Sequence, residues 1–317
     1  MAADAKPKRH HWWPQLQSRY WCGRDGLIFV IRKDGTVFKG SPNTIGVEGE
    51  LYTRLTVTGE KDTTIESWFA TEIESPFRSA LKEILDPTAI KARPFRRKPE
   101  MGKAQEMRAL GFIETGLFET IVVSPATRVA VVAYLAAMIV RSPRYLEKLR
   151  DFHRSNPDFG ALNLPDGAIK TVALENMLRA MRLYEERMAA ATIAITFATG
   201  DMEFIFSDAG VTAKEPWRRA AIPFDIHAPL TPRVSLQLVP AALHRADEFL
   251  VSRVNNQGVR RANRITVGGA ERFVFTRSEP PLEFIKSNFG VPAPAPFGHR
   301  VVNGKLETVY DPSRDRA

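Results

Sequence analysis

The sequence predicts an α+β fold: a buried central helix and further long helices packed with N-terminal and C-terminal antiparallel strands. Three observations predict it. The run 129–140, Val-Ala-Val-Val-Ala-Tyr-Leu-Ala-Ala-Met-Ile-Val, has no polar side, so the helix that holds it should be buried all round. Residues 169–189 carry Leu174, Met177, Met181, Tyr184 and Met188 at helical spacing, which marks a second long helix. Strand-like segments cluster towards both ends of the chain, a segregation that favours α+β over alternating α/β.

The first helix opens on Ser124-Pro125, an N-cap followed by proline in the first turn, and meets a stop at Arg141-Ser142-Pro143. Its apolar run is shorter than the ~20 residues needed to cross a bilayer. Towards the N-terminus, Leu27 to Ile31 and Thr36 to Phe38 read as strands joined through an Asp34-Gly35 turn. Residues 43–58 look irregular and then form a short strand, with Leu51 and Tyr52 inward. Thr63-Thr64-Ile65-Glu66 has the pattern of a capping box, and Pro76 should interrupt the helix that follows. In the C-terminal part, Thr192 to Thr199, Glu203 to Phe206 and Val234 to Leu238 read as strands. Ala241 to Val254 reads as a helix with Phe249 and Leu250 inward. Ile265 to Val267 and Arg272 to Thr276 read as a hairpin around Gly268-Gly269.

These readings divide the chain into a flexible basic arm at 1–9, a single α+β domain at 10–276 with a surface linker at 91–103, and a proline-rich, partly disordered tail at 277–317. One cysteine, Cys22, excludes an internal disulfide and a thiolate zinc site, and it suits a reducing compartment. No apolar segment follows the basic N-terminal residues, so the expected location is cytoplasmic, with no membrane attachment.

The net charge is +9 and unevenly placed. Lys and Arg outnumber acidic residues seven to two at 1–33, seven to two at 91–108 and four to none at 253–264. A basic face of that kind could meet phosphate backbones, and it could equally serve solubility.

Nucleotide-binding, nucleophile-elbow and zinc-helix motifs are absent. What remains is a set of isolated polar residues. His10-His11 offers imidazole for general acid/base work or metal binding, against a structural role beside Trp12 and Trp13. Asp208 ends a strand before Ala209-Gly210, as a site residue or as a turn carboxylate. Arg141, at a helix C-terminus, could clamp an anion or pair with Asp208, Glu48 or Glu50. Asn255, with Arg260, Arg261 and Arg264 behind it, could cradle a phosphate or simply end a helix.

Taken in order, His10-His11-Trp12-Trp13-Pro14-Gln15, Arg141-Ser142-Pro143, Phe206-Ser207-Asp208 and Pro229-Leu230-Thr231-Pro232 resemble the motifs of DUF4238, an uncharacterised bacterial family catalogued as a domain of unknown function. Glu50-Leu51-Tyr52-Thr53 resembles its acidic-X-aromatic-Tyr-Thr stretch, and Asn255 its late asparagine. The resemblance implies a shared architecture and a shared polar constellation with no assigned reaction. Two departures stand out. The family follows Ser-Asp with Asn-Pro where this chain has Ala209-Gly210, and Pro-Gln with Phe-Tyr-Leu where it has Leu16-Gln17-Ser18.

Two function classes follow. In the first, His10 or His11, Asp208 and Arg141 form the site of a hydrolase acting on phosphodiesters of nucleic acid, with a divalent cation as an optional cofactor and Glu50, Tyr52, Asn255, Arg260 and Arg261 as binding residues. In the second, the chain is a non-catalytic module for nucleic acid or protein, or a sensor of a small anionic ligand through Arg141.

Overall fold

The structure is a computed structural model that describes residues 9–56, 58–94, 117–157, 164–189, 191–211, 226–239 and 247–291, together with the backbone of 297–302 and 305–310. The N-terminal layer starts with β1 (Arg9–His11), a short helix α1 (Gln15–Ser18), and a hairpin of β2 (Ile28–Arg32) and β3 (Val37–Gly40). The hairpin closes at the expected Asp34-Gly35 turn. Gly35 has a φ of 86°, open to glycine without strain, and the Asp34 carboxylate accepts the Thr36 N–H at 2.9 Å. β4 (Val47–Gly49) returns antiparallel to β1, with His10 opposite Glu48. β5 (Arg54–Leu55) and β6 (Lys61–Asp62) form a minimal pair.

The helical layer departs from expectation at its start. Thr63 makes no capping bond. Asp62 takes the Thr64 N–H instead at 2.8 Å, and Glu66 reaches His11 rather than its own helix end. Pro76 does not interrupt the helix. A π-helical turn, Phe69–Glu74, joins α2 (Thr64–Trp68) to α3 (Ser75–Leu85). Pro76 then falls in the first turn of α3, where its missing N–H leaves little unsatisfied. The apolar stripe Phe69, Ile73, Phe77, Leu81 and Ile84 is buried, while Trp68 stays partly exposed.

The edge strand β7 (Ile90–Pro94) occupies the start of the expected linker, and 95–103 lies outside the described residues. β8 (Leu117–Val122) pairs with it and leads to α4 (Pro125–Val140), the central helix. Ser124 caps α4 by accepting the Thr127 N–H at 3.1 Å. Every residue of α4 from Ala130 to Val140 except Ala133 is buried, whereas Val129 is 68% exposed. Ser142 caps a new helix, α5 (Pro143–Ser155), bent 57° from α4. No single helix among the described residues is long and apolar enough to cross a membrane. α6 (Asp166–Met188) buries Leu174, Met177, Met181, Tyr184 and Met188 together, so the methionine stripe is core packing.

The C-terminal part contributes β9 (Thr192–Ala198), β10 (Phe206–Ser207), β11 (His227–Thr231), β12 (Val234–Val239) and β13 (Glu248–Val254). After them come α7 (Asn256–Gly269), β14 (Phe273–Thr276) and α8 (Leu282–Asn288), then a hairpin of β15 (Phe297–Val302) and β16 (Lys305–Tyr310).

Two expectations are corrected here. Of the expected helix from Ala241 to Val254, 241–246 lies outside the described residues and Glu248–Val254 is strand β13, which lies between β9 and β8 at the centre of a six-stranded sheet. Burial from Glu248 to Ser252 on both faces removes the alternation that would have marked a strand. The expected hairpin around Gly268-Gly269 is the end of α7 followed by β14. Val259, Ala262, Asn263, Thr266 and Val267 are buried at helical spacing, and that packing outweighs two glycines at the helix end. Within the expected tail, α8 buries Ile285 against Ile31, Val267 and Val274.

Strands β10-β14-β2-β3 form one antiparallel sheet. The larger sheet has the order β11-β12-β9-β13-β8-β7 and is antiparallel except where β9 meets β13. Ile193, Ile195, Leu236, Leu238, Phe249 and Val251 join α3, α4 and α6 in one apolar cluster that runs from Trp12 to Phe275. This is an α+β fold with helices packed on an antiparallel-dominated sheet.

Candidate functional site

Arg141 follows the last residue of α4, and its side chain is completely buried. A buried guanidinium must find acceptors for its donors, and three elements supply them. Nη1 donates to Glu74 Oε1 at 2.9 Å, from the π turn. Nη2 donates to the His11 carbonyl, from β1. Nε reaches the Tyr52 hydroxyl at 3.4 Å, and that hydroxyl donates back to the Arg141 carbonyl at 2.6 Å. The guanidinium carbon lies 4.5 Å from the centre of the Phe69 ring. Burial alone would depress the Arg141 pKa, but Tyr52, Glu74 and Glu66 more than offset it, so the group stays charged. The expected partners Asp208, Glu48 and Glu50 are not used; Glu74 takes their place.

The two histidines divide as adjacent strand residues must, one inward and one outward. His10 is fully buried, stacks on Tyr52 at 5.7 Å, and accepts the Tyr52 N–H on Nδ1 at 2.8 Å. Nδ1 therefore keeps its lone pair for the backbone. His11 is half-buried, with Nε2 3.0 Å from the Gln15 side-chain amide and its N–H directed to Glu66 Oε1 at 3.4 Å. Burial lowers the His11 pKa, with Arg141 and Arg9 acting in the same sense against Glu74. Burial also raises the pKa of Glu66, whose Oε2 is enclosed without a bond.

Asp208 sits apart from this cluster. It receives three backbone N–H groups: Glu271 on Oδ1 at 2.9 Å, and Arg272 and Phe273 on Oδ2 at 2.7 and 3.2 Å. It thus fixes the entry to β14 and is bonded neither to the histidines nor to Arg141. The link is indirect, since Arg272 bridges to Glu48, the strand partner of His10. Among the described residues, no three His, Cys, Asp or Glu side chains gather to hold a metal ion.

The remaining candidates are dispersed. Glu50 is the one non-glycine among the described residues at positive φ (52°). Its carboxylate pairs with Lys61, which holds its pKa below the usual range. Tyr52 is completely buried. Asn255 caps α7 through the Gly258 N–H at 3.1 Å. Arg260 lies over the Phe284 ring at 5.4 Å, Arg264 donates to Asn288 at 3.1 Å, and Arg261 is half-buried on the same helix. The basic stretch 95–108 lies outside the described residues.

Sequence reasoning missed Gln17. Its Oε1 accepts from Trp13 Nε1 at 3.1 Å and from the Tyr134 hydroxyl, while its Nε2 donates to the Pro229 carbonyl at 2.6 Å. One amide thus joins the N-terminal motif, the central helix and the Pro-Leu-Thr-Pro segment. A glutamine amid tryptophans signals burial only once its neighbours are known.

His10, Arg141 and Gln17 thus belong to a framework of buried polar groups that hold the N-terminal segment against α4 and β11, and Asp208 lies apart from it. That framework defines the chain as an α+β protein organised round a buried arginine. The sequence model described as "Protein of unknown function (DUF4238)" matches residues 9–280, and the chain belongs to this family. No curated protein and no solved structure matches it.

Proposed function

We propose that this protein is a non-catalytic module that binds a phosphate-bearing partner, and that it is not a phosphodiesterase. One observation carries the reading: His10 Nδ1, the Arg141 guanidinium and the Asp208 carboxylate are each engaged by groups of the same chain. A general base or an anion clamp must face its substrate, and these three face the fold. The net charge of +9 favours an anionic partner, nucleic acid or a smaller phosphate compound.

The test is incubation of the full chain with labelled single- and double-stranded DNA and RNA, with and without magnesium or manganese. Salt-sensitive retention without cleavage is expected. Cleavage that disappears in His11→Ala would overturn the reading and restore the hydrolase, since His11 is the one histidine of the pair with partial solvent access.

A further inference from the structure

We infer that the cleft between the β2–β3 turn and the start of β14 binds one nucleotide with an unpaired base, either free or within a single strand of nucleic acid. This rests on the reading above and names where the partner sits. The cleft measures about 450 Å³, is open to solvent, and is lined by Arg32, Lys33, Asp34, Glu271, Arg272 and Phe273. Small-molecule sites typically span roughly 300–1,000 Å³. Strand pairing builds the site. Phe273 stands opposite Arg32 across β14 and β2, and the Arg32 guanidinium lies over the Phe38 ring of β3 at 5.2 Å. Phe38 is opposite Val30, two residues from Arg32, so Phe273, Arg32 and Phe38 belong to one face of the sheet. Phe38 is 37% exposed on the edge strand, and Phe273 is half-buried. Aromatic and basic groups thus alternate across three strands at the cleft.

The lining holds three cations and two carboxylates, and both carboxylates are engaged. Asp34 accepts the Thr36 N–H at 2.9 Å, and Glu271 pairs with Arg144 at 2.7 Å. The Arg272 guanidinium carbon lies 5.8 Å from the centre of the Phe273 ring. A nucleotide uses this combination: its base stacks on a flat ring, and its phosphate takes guanidinium and ammonium donors. A duplex keeps its bases stacked on one another, so only an unpaired base can reach Phe273. The backbone of the site is fixed in advance. Asp208 accepts the N–H groups of Glu271, Arg272 and Phe273, the three lining residues that β14 and its approach supply. Glu48, opposite His10 in the β1–β4 pair, holds the Arg272 side chain at 3.3 Å. Asp208 is therefore a positioning residue for the cleft and does not itself meet the ligand.

The experiment compares the full chain with the double variant Arg32→Gln/Lys33→Gln, with Phe273→Leu, and with Arg179→Gln/Arg182→Gln. The last pair lies exposed on α6 and removes the same charge away from the cleft. The probes are labelled oligothymidylate, its duplex with oligoadenylate, and AMP as competitor. Fluorescence anisotropy over a salt series is the readout, with circular dichroism to confirm folding. Wild type is expected to prefer the single strand to the duplex. Arg32→Gln/Lys33→Gln should bind about tenfold more weakly and lower the slope of log affinity against log salt by about one unit. Phe273→Leu keeps apolar bulk and removes the flat face, so it should weaken binding about fivefold with the salt slope unchanged. Arg32 and Lys33 are exposed on the turn, so that pair decides the matter even if Phe273→Leu fails to fold. Competition by AMP that depends on Arg32 and Lys33 would assign the cleft to a free nucleotide, and its absence to a strand. Equal losses in the two double variants, or equal affinity for single strand and duplex, would overturn the site while leaving the binding reading intact. Absence of binding of all three probes by wild type would overturn both.

Discussion

At the residue scale, the buried polar groups set the stakes. Arg141 ties β1, the π turn and α4 through a guanidinium fully enclosed by protein. Removing one member of a buried charged network leaves the others unpaired, which is far worse than never having built it. Arg141→Ala is therefore expected to lower unfolding stability by about 3–5 kcal/mol, read from urea denaturation. Asp208→Ala would orphan three amides at 271–273 and should cost about 3 kcal/mol, with Asp208→Asn intermediate because its oxygen still accepts. If either variant kept wild-type stability and lost binding, the residue would belong to a site and not to the framework.

Elements show how the local backbone decides substitutions. Gly210 has a φ of 67°, and an added Cβ would lie 3.0 Å from the Met138 carbonyl of α4. Gly210→Ala should cost about 1–2 kcal/mol or more, since conformational strain and crowding add. Gly26, at φ 74° with open space round it, isolates the conformational part, so Gly26→Ala should shift the thermal midpoint less. The same geometry bears on the departure from the family's Asn-Pro. Proline cannot adopt φ 67° and lacks the N–H that Gly210 donates to Ser207. Gly210→Pro is therefore expected to yield insoluble or unfolded protein unless the turn rebuilds.

Across the whole molecule, the sheet buries groups that water would charge. His227 on β11 is enclosed beside the Phe204 ring at 5.9 Å, and burial pushes its pKa down to about 4. The folded state binds this proton less tightly than the unfolded chain, whose value is 6.5. The stability tied to neutral His227 is thus complete above pH 6.5 and lost as the pH falls towards 4, by roughly 3 kcal/mol in all. His227→Gln should flatten the acid limb of a stability–pH curve measured by denaturant titration; an unchanged limb would show that carboxylates set it. The larger sheet also turns Thr196 towards its neighbours Ser235 and Ser252 on the face opposite the isoleucines, a pairing that only strand register creates.

Local chemistry determined much of this protein. The Ser124 cap, the Asp34-Gly35 turn, the apolar central helix and the methionine stripe depend on residues close in sequence, where helical or turn geometry is the same in any context. The order of the four polar motifs likewise marked the family before any contact was known. What only the tertiary structure decided depends on partners far along the chain. Residues 248–254 became a strand because β9 and β8 flank them, and a segment buried on both faces carries no period that separates helix from strand. His10, Arg141 and Asp208 are bonded within the chain because the acceptors and donors they needed arrived from Tyr52, Glu74, His11 and 271–273. Charge pairing and burial are properties of positions in space, so residue type alone could nominate these side chains but could not assign their roles.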